Sequence, residues 1–239
     1  MTRRRWIADT WTATTASLTG DQAAHLSRVL RAEPGQIYDV VSNGFLHRAE
    51  ILTVSDNEVL FTLHEELESD AALPLHLLLA IFKFDHMEWA VEKATELGIG
   101  RITPLLARRT EKHLAHAAAK RVERWRRIAL EASKQSRRTD IPEIADPTPL
   151  KTALDQETAP MRILLSETEQ STTLTAALES SAQKEPQTAL AIGPEGGWTP
   201  EEMSLFTQHN WQPVTLGPRI LRAETAAIAA IAIASTHLS

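Results

Sequence analysis

The sequence predicts an α/β protein in which a mainly parallel sheet follows a smaller β-rich segment. Within residues 36–65, short runs rich in Val, Ile, Leu, Phe and Thr alternate with turn residues, which is typical of antiparallel strands. From residue 75 onward, continuous apolar runs alternate with stretches of helical spacing, which is typical of a parallel sheet covered by helices. An acidic, polar run at 65–72 separates the two patterns. We therefore expect two domains, at 1–70 and 71–239.

The first domain is expected to be a small β-barrel with one helix. Pro-Gly, Asn-Gly and Asp-Asn turn signals separate its strand candidates. A helix is predicted at 21–32, where Leu26, Val29 and Leu30 suit one apolar face. The strands are predicted near Trp6 and at 36–42, 45–54 and 58–65.

The second domain is expected to repeat a strand followed by a helix. Each apolar run is short and continuous, as in a strand that is covered on both faces. The predicted strands are at 75–82, 101–106, 161–166, 189–192 and 214–216. The predicted helices are at 86–97, 115–136, 174–180, 200–209 and 224–237.

Two stretches of the second domain, 191–199 and 216–225, share one design. Each passes from an apolar run into a loop of Gly and Pro and then into a helix start. Gly lets the backbone approach a ligand closely and Pro fixes φ, so both loops are pre-shaped. Because ligands of parallel sheets bind beyond the carboxyl ends of the strands, both loops predict a binding site. The segment 164–167 ends another strand and is predicted to be a third wall.

Some polar residues of the first loop have a structural explanation. Thr199 and Glu202 flank Pro200 with the spacing of a helix capping box, so we assign them to the helix start and not to the site. Glu195 lies inside the loop, where it accepts a hydrogen bond either from a ligand or from a backbone N–H.

Composition excludes several classes of function. The chain has no cysteine, which rules out disulfides, a thiolate nucleophile and a cysteine-based metal centre. Its nine histidines show no ligand spacing, so no metal is expected, and there is no phosphate-binding loop of the P-loop type. The Ala/Ile run at 226–234 is too short to cross a bilayer, and no export signal is evident, so we expect a cytoplasmic protein without membrane contact.

Basic residues are concentrated locally although the net charge is −6. The helix at 115–136 carries a basic strip opposite an apolar one. The strip consists of residues 120, 124, 127, 131 and 134, with Glu131 as its one acid, and the apolar side of Trp125, Ile128, Ala129 and Ala132. The strip is either an ordinary solvated face or a surface for phosphate groups. A second basic group lies in the first domain. Two basic surfaces favour a long polyanion over a mononucleotide. The expected RNA contacts are Arg4, Arg28, Arg31, Arg124, Arg127 and Arg138.

Four motifs in order resemble one family over nearly the whole chain. They are Lys83 with Glu88, Lys93 and 95–98; Gln135-Ser136-x-Arg138; 192–197; and 216–226. They resemble the RsmE family, the 16S ribosomal RNA uridine-N3 methyltransferases of the SPOUT superfamily. Phe84 and Arg108 depart from the family pattern, and we assign Arg108 no role.

The resemblance implies more than the spacing does. It implies a PUA-like RNA-binding domain at 1–70, a SPOUT domain with a deep trefoil knot at 71–239, and a homodimer acting on 16S rRNA or the 30S subunit. It implies that S-adenosylmethionine binds the loops, and it places Arg109 at the RNA or the cofactor. The implied cofactor-binding residues are Leu165, Ser166, Glu167, Gly193, Pro194, Glu195, Gly196, Gly197, Leu216, Gly217, Ile220 and Leu221.

Arg222 is the catalytic candidate. Uridine N3 must lose a proton before or during attack on the methyl group, and a nearby cation would stabilise the resulting anion. Arg222 lies between the second loop and a helix N-terminus, although a salt bridge to Glu224 or Glu195 explains it equally well. The Ala/Ile-rich final helix is apolar on more than one side, which agrees with a dimer.

Two other functions fit the same sequence. One is a SPOUT methyltransferase that acts on ribose 2′-OH or on another base. The other is a non-catalytic ribosome-assembly protein that keeps the fold as an RNA-binding scaffold, although its intact Gly/Pro loops argue against this.

Overall fold

A computed structural model describes residues 5–68, 72–136, 138–180 and 187–238. The predicted RNA contact Arg4 and part of the predicted 65–72 linker lie outside these residues. The chain divides into two compact units. The first comprises the described residues of 1–71 and 133–141, and the second those of 72–132 and 142–238.

The first unit is built on a six-stranded, mostly antiparallel sheet. Its strands are β1 (Arg5–Ile7), β2 (Thr10–Trp11), β3 (Thr15–Thr19), β4 (Ile37–Ser42), β5 (Phe45–Val54) and β6 (Glu58–Leu67). Their order is β1-β4-β5-β6-β3-β2, and β1 pairs with β4 in parallel. Alternate residues of the strands, such as Leu18, Ile51 and Phe61, are buried in one apolar core. The three predicted central strands are therefore confirmed, whereas β2 and β3 were not predicted.

The helix predicted at 21–32 is wrong in its second half. The chain forms α1 (Gly20–Ala24) and then a π-helical turn at His25–Val29. A π turn holds more residues than an α turn, so it shifts the residues after Leu26 out of the apolar face. Leu26 is fully buried, but Val29 and Leu30 are 65% and 41% exposed.

The second unit contains seven strands, and every pairing between them is parallel. The strands are β7 (Leu75–Ala80), β8 (Arg101–Leu106), β9 (Glu143–Ile144), β10 (Thr148–Pro149), β11 (Met161–Leu165), β12 (Thr188–Ile192) and β13 (Gln212–Val214). Their order is β10-β8-β7-β12-β11-β13, with β9 beside β8. The predicted α/β class with a mainly parallel sheet is thus confirmed.

Helices cover both faces of this sheet. They are α2 (Phe84–Glu96), α3 (Lys112–Ser136), α4 (Leu150–Gln156), α5 (Leu174–Glu179), α6 (Pro200–Gln208) and α7 (Ala223–Leu238). On β7, Leu77 and Leu79 face the core formed with α2, α3, α5 and α7, whereas Leu78 and Ala80 face the core formed with α4 and α6. This burial on both faces explains the continuous apolar runs of the sequence.

Two differences from the prediction concern short elements. The pieces β9, β10 and α4 were not predicted, because two-residue strands and a seven-residue helix leave no measurable periodicity. The bounds of the strand predicted at 214–216 are wrong by two residues, since the strand lies at Gln212–Val214. The chain turns after Val214, where the Thr215 hydroxyl accepts the N–H of Gly217 at 3.1 Å. In the described parts of the chain, no helix combines the length and apolarity needed to span a membrane.

Candidate active site

A cavity of about 1210 Å³ opens at the carboxyl ends of the central strands of the second unit. The loops that follow β7, β8, β11, β12 and β13 form its walls. Every cofactor-binding residue that the resemblance implies lines this one cavity, together with Arg109 and Arg222. The structure therefore brings together three stretches that are far apart in the sequence. Lys83, His86 and Thr173 also line the cavity, although the sequence analysis placed none of them in the site.

The first loop, residues 193–197, is tightly shaped by its glycines. The N–H of Gly197 donates to the carbonyl of Pro194 at 2.8 Å, and Gly197 has a left-handed φ of 70° that favours glycine. A Cβ on Gly193 would lie 3.1 Å from the indole of Trp198, so a side chain there would displace the ring. Trp198 packs edge-on against Phe206 at 4.8 Å between ring centroids, which makes it a core residue as well as part of the wall.

Arg109 is part of the wall of the cavity. Its Nη1 donates to the carbonyl of Gly196 at 2.6 Å. A Cβ on Gly196 would lie 3.3 Å from Cδ of Arg109 and 3.4 Å from Cβ, so the arginine stem packs flat against the glycine. The loop after β8 thereby supports the loop after β12.

Glu202 has a second contact that the sequence analysis missed. Its side chain completes the predicted capping box, in which Oε2 accepts the N–H of Thr199 at 2.9 Å. The other oxygen, Oε1, accepts the backbone N–H of Arg108 at 2.7 Å. Glu202 is only 3% exposed, and it ties the start of α6 to the loop that carries Arg109. No local pattern reveals this contact, because its partners are 94 residues apart.

The third wall, which follows β11, is held by its own hydrogen bonds. The N–H of Ser166 donates to the carbonyl of Val214 at 3.0 Å, and the Ser166 hydroxyl lies 2.9 Å from that of Thr168. The carboxylate of Glu169 accepts the Ser171 hydroxyl at 2.6 Å and the backbone N–H groups of Ser171 and Thr172. These bonds to the charged form lower the pKa of Glu169 to about 2. Glu169 therefore remains a carboxylate throughout the physiological range.

The second loop leads directly into α7 and presents Arg222. Gly217 has a φ of 115°, which explains a glycine at this turn. The carbonyl of Arg222 accepts the N–H of Ala226 at 2.8 Å and so begins the helix, while the side chain is exposed and lines the cavity. Within the described ranges, Arg222 forms no ion pair with Glu224 or Glu195. The salt bridge considered as the alternative explanation of Arg222 is therefore not observed.

The predicted RNA-contacting arginines lie in different settings. In the first unit, Arg28 donates to Asp56 at 2.8 Å and Arg31 has a left-handed φ of 50°. Arg138 pairs with Asp140.

On α3, Lys120, Arg124 and Arg127 of the predicted strip are exposed and Lys134 is half-buried, whereas Trp125, Ala129 and Ala132 on the opposite face are buried. Arg124 makes a two-pronged contact with Glu88 at 2.5 and 2.6 Å, which neutralises part of the strip, and Arg127 remains exposed. The described residues contain no cluster of three or more His, Asp or Glu side chains that could hold a metal ion.

The fold and the cavity define an α/β protein that binds a small molecule at the carboxyl edge of a parallel sheet. Residues 69–235 match the family described as the RNA methyltransferase domain. The chain is also 36% identical to the ribosomal RNA small subunit methyltransferase E of Synechocystis, over 91% of this chain and 72% of that protein. This chain therefore belongs to the ribosomal RNA small subunit methyltransferase E family, as its four motifs predict.

Two solved structures are similar to the chain over almost its full length. One is a methyltransferase of Legionella pneumophila in complex with S-adenosylmethionine, at 30% identity and a TM-score of 0.80, which covers 99% of this chain and 98% of that one. The other is the ribosomal RNA small subunit methyltransferase E of Neisseria gonorrhoeae bound to S-adenosylmethionine, at 28% identity and a TM-score of 0.81, with the same coverage.

Proposed function

We propose that this protein transfers a methyl group from S-adenosylmethionine to N3 of a uridine in 16S ribosomal RNA. The family membership and the S-adenosylmethionine complexes of two similar structures support the proposal. The observation that carries it is the single cavity in which the three predicted loops meet.

The residues of the cavity fit S-adenosylmethionine. Gly193 and Gly196 present bare backbone, and a Cβ on either would crowd Trp198 or Arg109, at 3.1 Å and 3.3 Å respectively. Leu165, Ile192 and Leu216 offer apolar surface for a flat base, and the loops add backbone N–H and C=O groups that can fix its orientation. We propose the twelve residues implied by the resemblance as the cofactor-binding set.

S-adenosylmethionine supplies a methyl group that its sulfonium charge has already activated. The protein therefore has to position the base, and correct placement alone can lower a barrier by about 7 kcal/mol or more. Arg222 stabilises the negative charge that develops on the uracil ring as N3 loses its proton. Because N3 lies on the Watson–Crick edge, the target uridine must be unpaired or splayed out of its helix.

Residues 1–70, which lie in the first unit, are proposed to be the RNA-binding domain. The six-stranded sheet, with the strand order β1-β4-β5-β6-β3-β2, fits a PUA-like barrel. Arg28 and Arg31 follow α1 in the chain. Arg4, Arg109, Arg124, Arg127 and Arg138 complete the proposed RNA contacts.

We further propose that residues 71–239 form a SPOUT domain with a trefoil knot and that the chain acts as a homodimer in the cytoplasm. On α7, Ile228 and Ile233 are only half-buried in a single chain, so a partner would cover more apolar area. Light scattering at micromolar concentration should give twice the mass of 26.5 kDa, and a monomer would contradict the dimer.

The decisive experiment is methyl transfer to 30S subunits and to naked 16S rRNA, followed by mass spectrometry of the nucleosides. N3-methyluridine is the expected product. A 2′-O-methylated nucleoside or another methylated base would replace this proposal with a different SPOUT activity. A calorimetric titration with S-adenosylmethionine addresses the remaining alternative, because a pure RNA-binding scaffold should release no heat.

A further inference from the structure

The half-buried His86 and the buried Glu224 lie next to each other beside the cavity. His86 lies in the first turn of α2, lines the cavity, and places Nδ1 3.4 Å from Oε1 of Glu224. Glu224 lies in the first turn of α7, and its side chain is only 5% exposed. Both His86 Nδ1 and Glu224 Oε2 are buried and have no hydrogen bond within the described parts of the chain.

Their surroundings favour a proton on one of the two ring nitrogens. Buried polar atoms are nearly always hydrogen-bonded, and Glu224 is the acceptor within reach of Nδ1. A proton on Nδ1 would lie beside this carboxylate, whose Oε1 is 3.4 Å away. In the neutral ring this leaves the lone pair on Nε2, which lies 3.8 Å from Oδ2 of Asp85.

We propose that His86 accepts the N3 proton of the target uridine and that Glu224 holds its ring for this task. The inference rests on the proposed function. The N3–H bond breaks and its proton moves to Nε2, while the N3 lone pair forms a bond to the methyl carbon. The bond from that carbon to sulfur breaks, and its electron pair stays on sulfur. The imidazolium then returns its proton to water.

The other acids of the cavity are poorer proton acceptors. Glu169 has a pKa of about 2 because Ser171 and Thr172 donate to its carboxylate. Glu167 and Glu195 are exposed carboxylates, and carboxylates as a class are weaker bases than imidazole at neutral pH. Among the described residues that line the cavity, His86 is the only imidazole.

Several charges act on the His86 ring. On its own helix, Asp85 places Oδ2 3.8 Å from Nε2, and Glu224 faces the ring from α7. The cations Lys83, Arg109, Arg219 and Arg222 line the same cavity. Asp85 is 78% exposed, so its influence is screened by water.

The first test is His86→Gln, with the exposed His116→Gln on α3 as the matched control. Loss of a general base should lower kcat by about 10²-fold to 10⁴-fold. The dissociation constant for S-adenosylmethionine should change by less than about threefold, because methyl-donor binding does not need the base. His116→Gln should behave as wild type. A loss of kcat below about fivefold for His86→Gln would overturn the proposal.

A substrate with 5-fluorouridine at the target position separates a chemical role from a structural one. Fluorine makes the N3–H more acidic, so the reaction depends less on a protein base. The deficit of His86→Gln should shrink by about tenfold or more with this substrate, and an unchanged deficit would refute proton transfer to His86. If the wild-type protein methylates N3 neither in the uridine substrate nor in the 5-fluorouridine substrate, the proposed function itself is refuted.

The nitrogen that carries the proton in the neutral His86 ring can be identified without measuring turnover. Nitrogen-15 spectra of the wild-type protein should show the neutral His86 ring protonated at Nδ1, and Glu224→Gln should change that population. Asp85→Asn should leave the tautomer as in wild type. A neutral ring protonated at Nε2 in the wild-type protein would contradict the proposal, and this result does not depend on how Glu224→Gln folds.

Discussion

Arg222 lies at the edge of the cavity with its charge uncompensated by the neighbouring acids. An exposed guanidinium in this position can meet the substrate without first breaking an ion pair. An arginine also keeps its charge at every physiological pH, so it can stabilise an anion without taking part in proton transfer. This property divides the proposed roles between Arg222, which stabilises charge, and His86, which accepts the proton.

Arg222→Ala should reduce methylation by about 10²-fold or more, because a preorganised charge next to a developing anion contributes about 3 kcal/mol. The affinity for S-adenosylmethionine, measured by calorimetry, should remain largely unchanged. Arg222→Lys keeps a cation and should recover part of the activity. Unchanged turnover in Arg222→Ala would remove Arg222 from the mechanism.

The start of α6 shows how one helix cap supports a binding loop. The same carboxylate of Glu202 closes the capping box and holds the backbone of Arg108, whose neighbour Arg109 donates to Gly196. The position of the first loop therefore depends on a helix that only borders the cavity.

Two substitutions separate the cap from the support. Thr199→Ala removes the side-chain cap and should lower the free energy of unfolding by about 1 kcal/mol, with no effect on S-adenosylmethionine affinity. Glu202→Gln leaves an N–H of Thr199 or Arg108 without its acceptor, so stability should fall by about 1 to 3 kcal/mol. In Glu202→Gln, the dissociation constant for S-adenosylmethionine, measured by calorimetry, should also rise severalfold. Equal affinities in the two variants would mean that Glu202 is only a cap.

A second pair, outside the residues that line the cavity, joins β7 to the end of α4. His76 Nδ1 lies 2.5 Å from Oε2 of Glu157, and its Nε2 lies 2.8 Å from the hydroxyl of Thr103. Burial acts to raise the pKa of Glu157, but the hydrogen bonds from His76 and from the backbone N–H of Ala159 outweigh it and lower the pKa below its ordinary value of 4.5.

The lowered pKa predicts an acid-dependent stability. A folded-state pKa below the unfolded one stabilises the protein above pH 4.5, and this contribution is lost as the pH falls through the folded-state pKa. Glu157→Gln should therefore be less stable at pH 7 by about 1 to 3 kcal/mol and should lose less stability than wild type on acidification. Urea unfolding between pH 7 and pH 3 measures both. Parallel curves for the two proteins would contradict the assignment.

At the scale of the whole molecule, the chain combines a mostly antiparallel sheet with a parallel one. The small-molecule cavity lies entirely in the second unit, so RNA affinity and cofactor affinity should be separable by mutation. Each arginine that contacts a phosphate releases a counterion and steepens the salt dependence of binding.

The double variant Arg28→Ala/Arg31→Ala should bind 16S rRNA more weakly. The slope of the logarithm of its binding constant against the logarithm of the salt concentration should fall in magnitude by about two. Calorimetry should give a wild-type affinity for S-adenosylmethionine. Arg48→Ala, on β5 of the same unit but outside the proposed contacts, is the matched control and should leave the slope unchanged. A wild-type slope in the double variant would remove this pair from the RNA surface.

The sequence by itself determined the class of fold and the three loops that form much of the cavity wall. These follow from local signals: the apolar run of a buried strand, the Gly and Pro of a shaped loop, and the spacing of a capping box. The family followed from the resemblance carried by the four motifs. The same local signals did not predict elements that are irregular or very short. The π turn that exposes Val29 and Leu30 has no periodicity of its own, and β9 and β10 are too short to leave one.

Only the tertiary structure decided which polar groups meet. Glu202 contacts Arg108 across 94 residues, Arg109 contacts Gly196 across 87, and His86 reaches Glu224 from another helix. Such contacts depend on the parallel order of the strands, which places the carboxyl ends of β7, β8 and β12 side by side. A sequence pattern encodes the direction of a side chain within its own element, but the partner of a buried charge depends on how the elements pack. The two Gly/Pro loops were therefore readable from the chain alone, whereas the pairing of His86 with Glu224 was not.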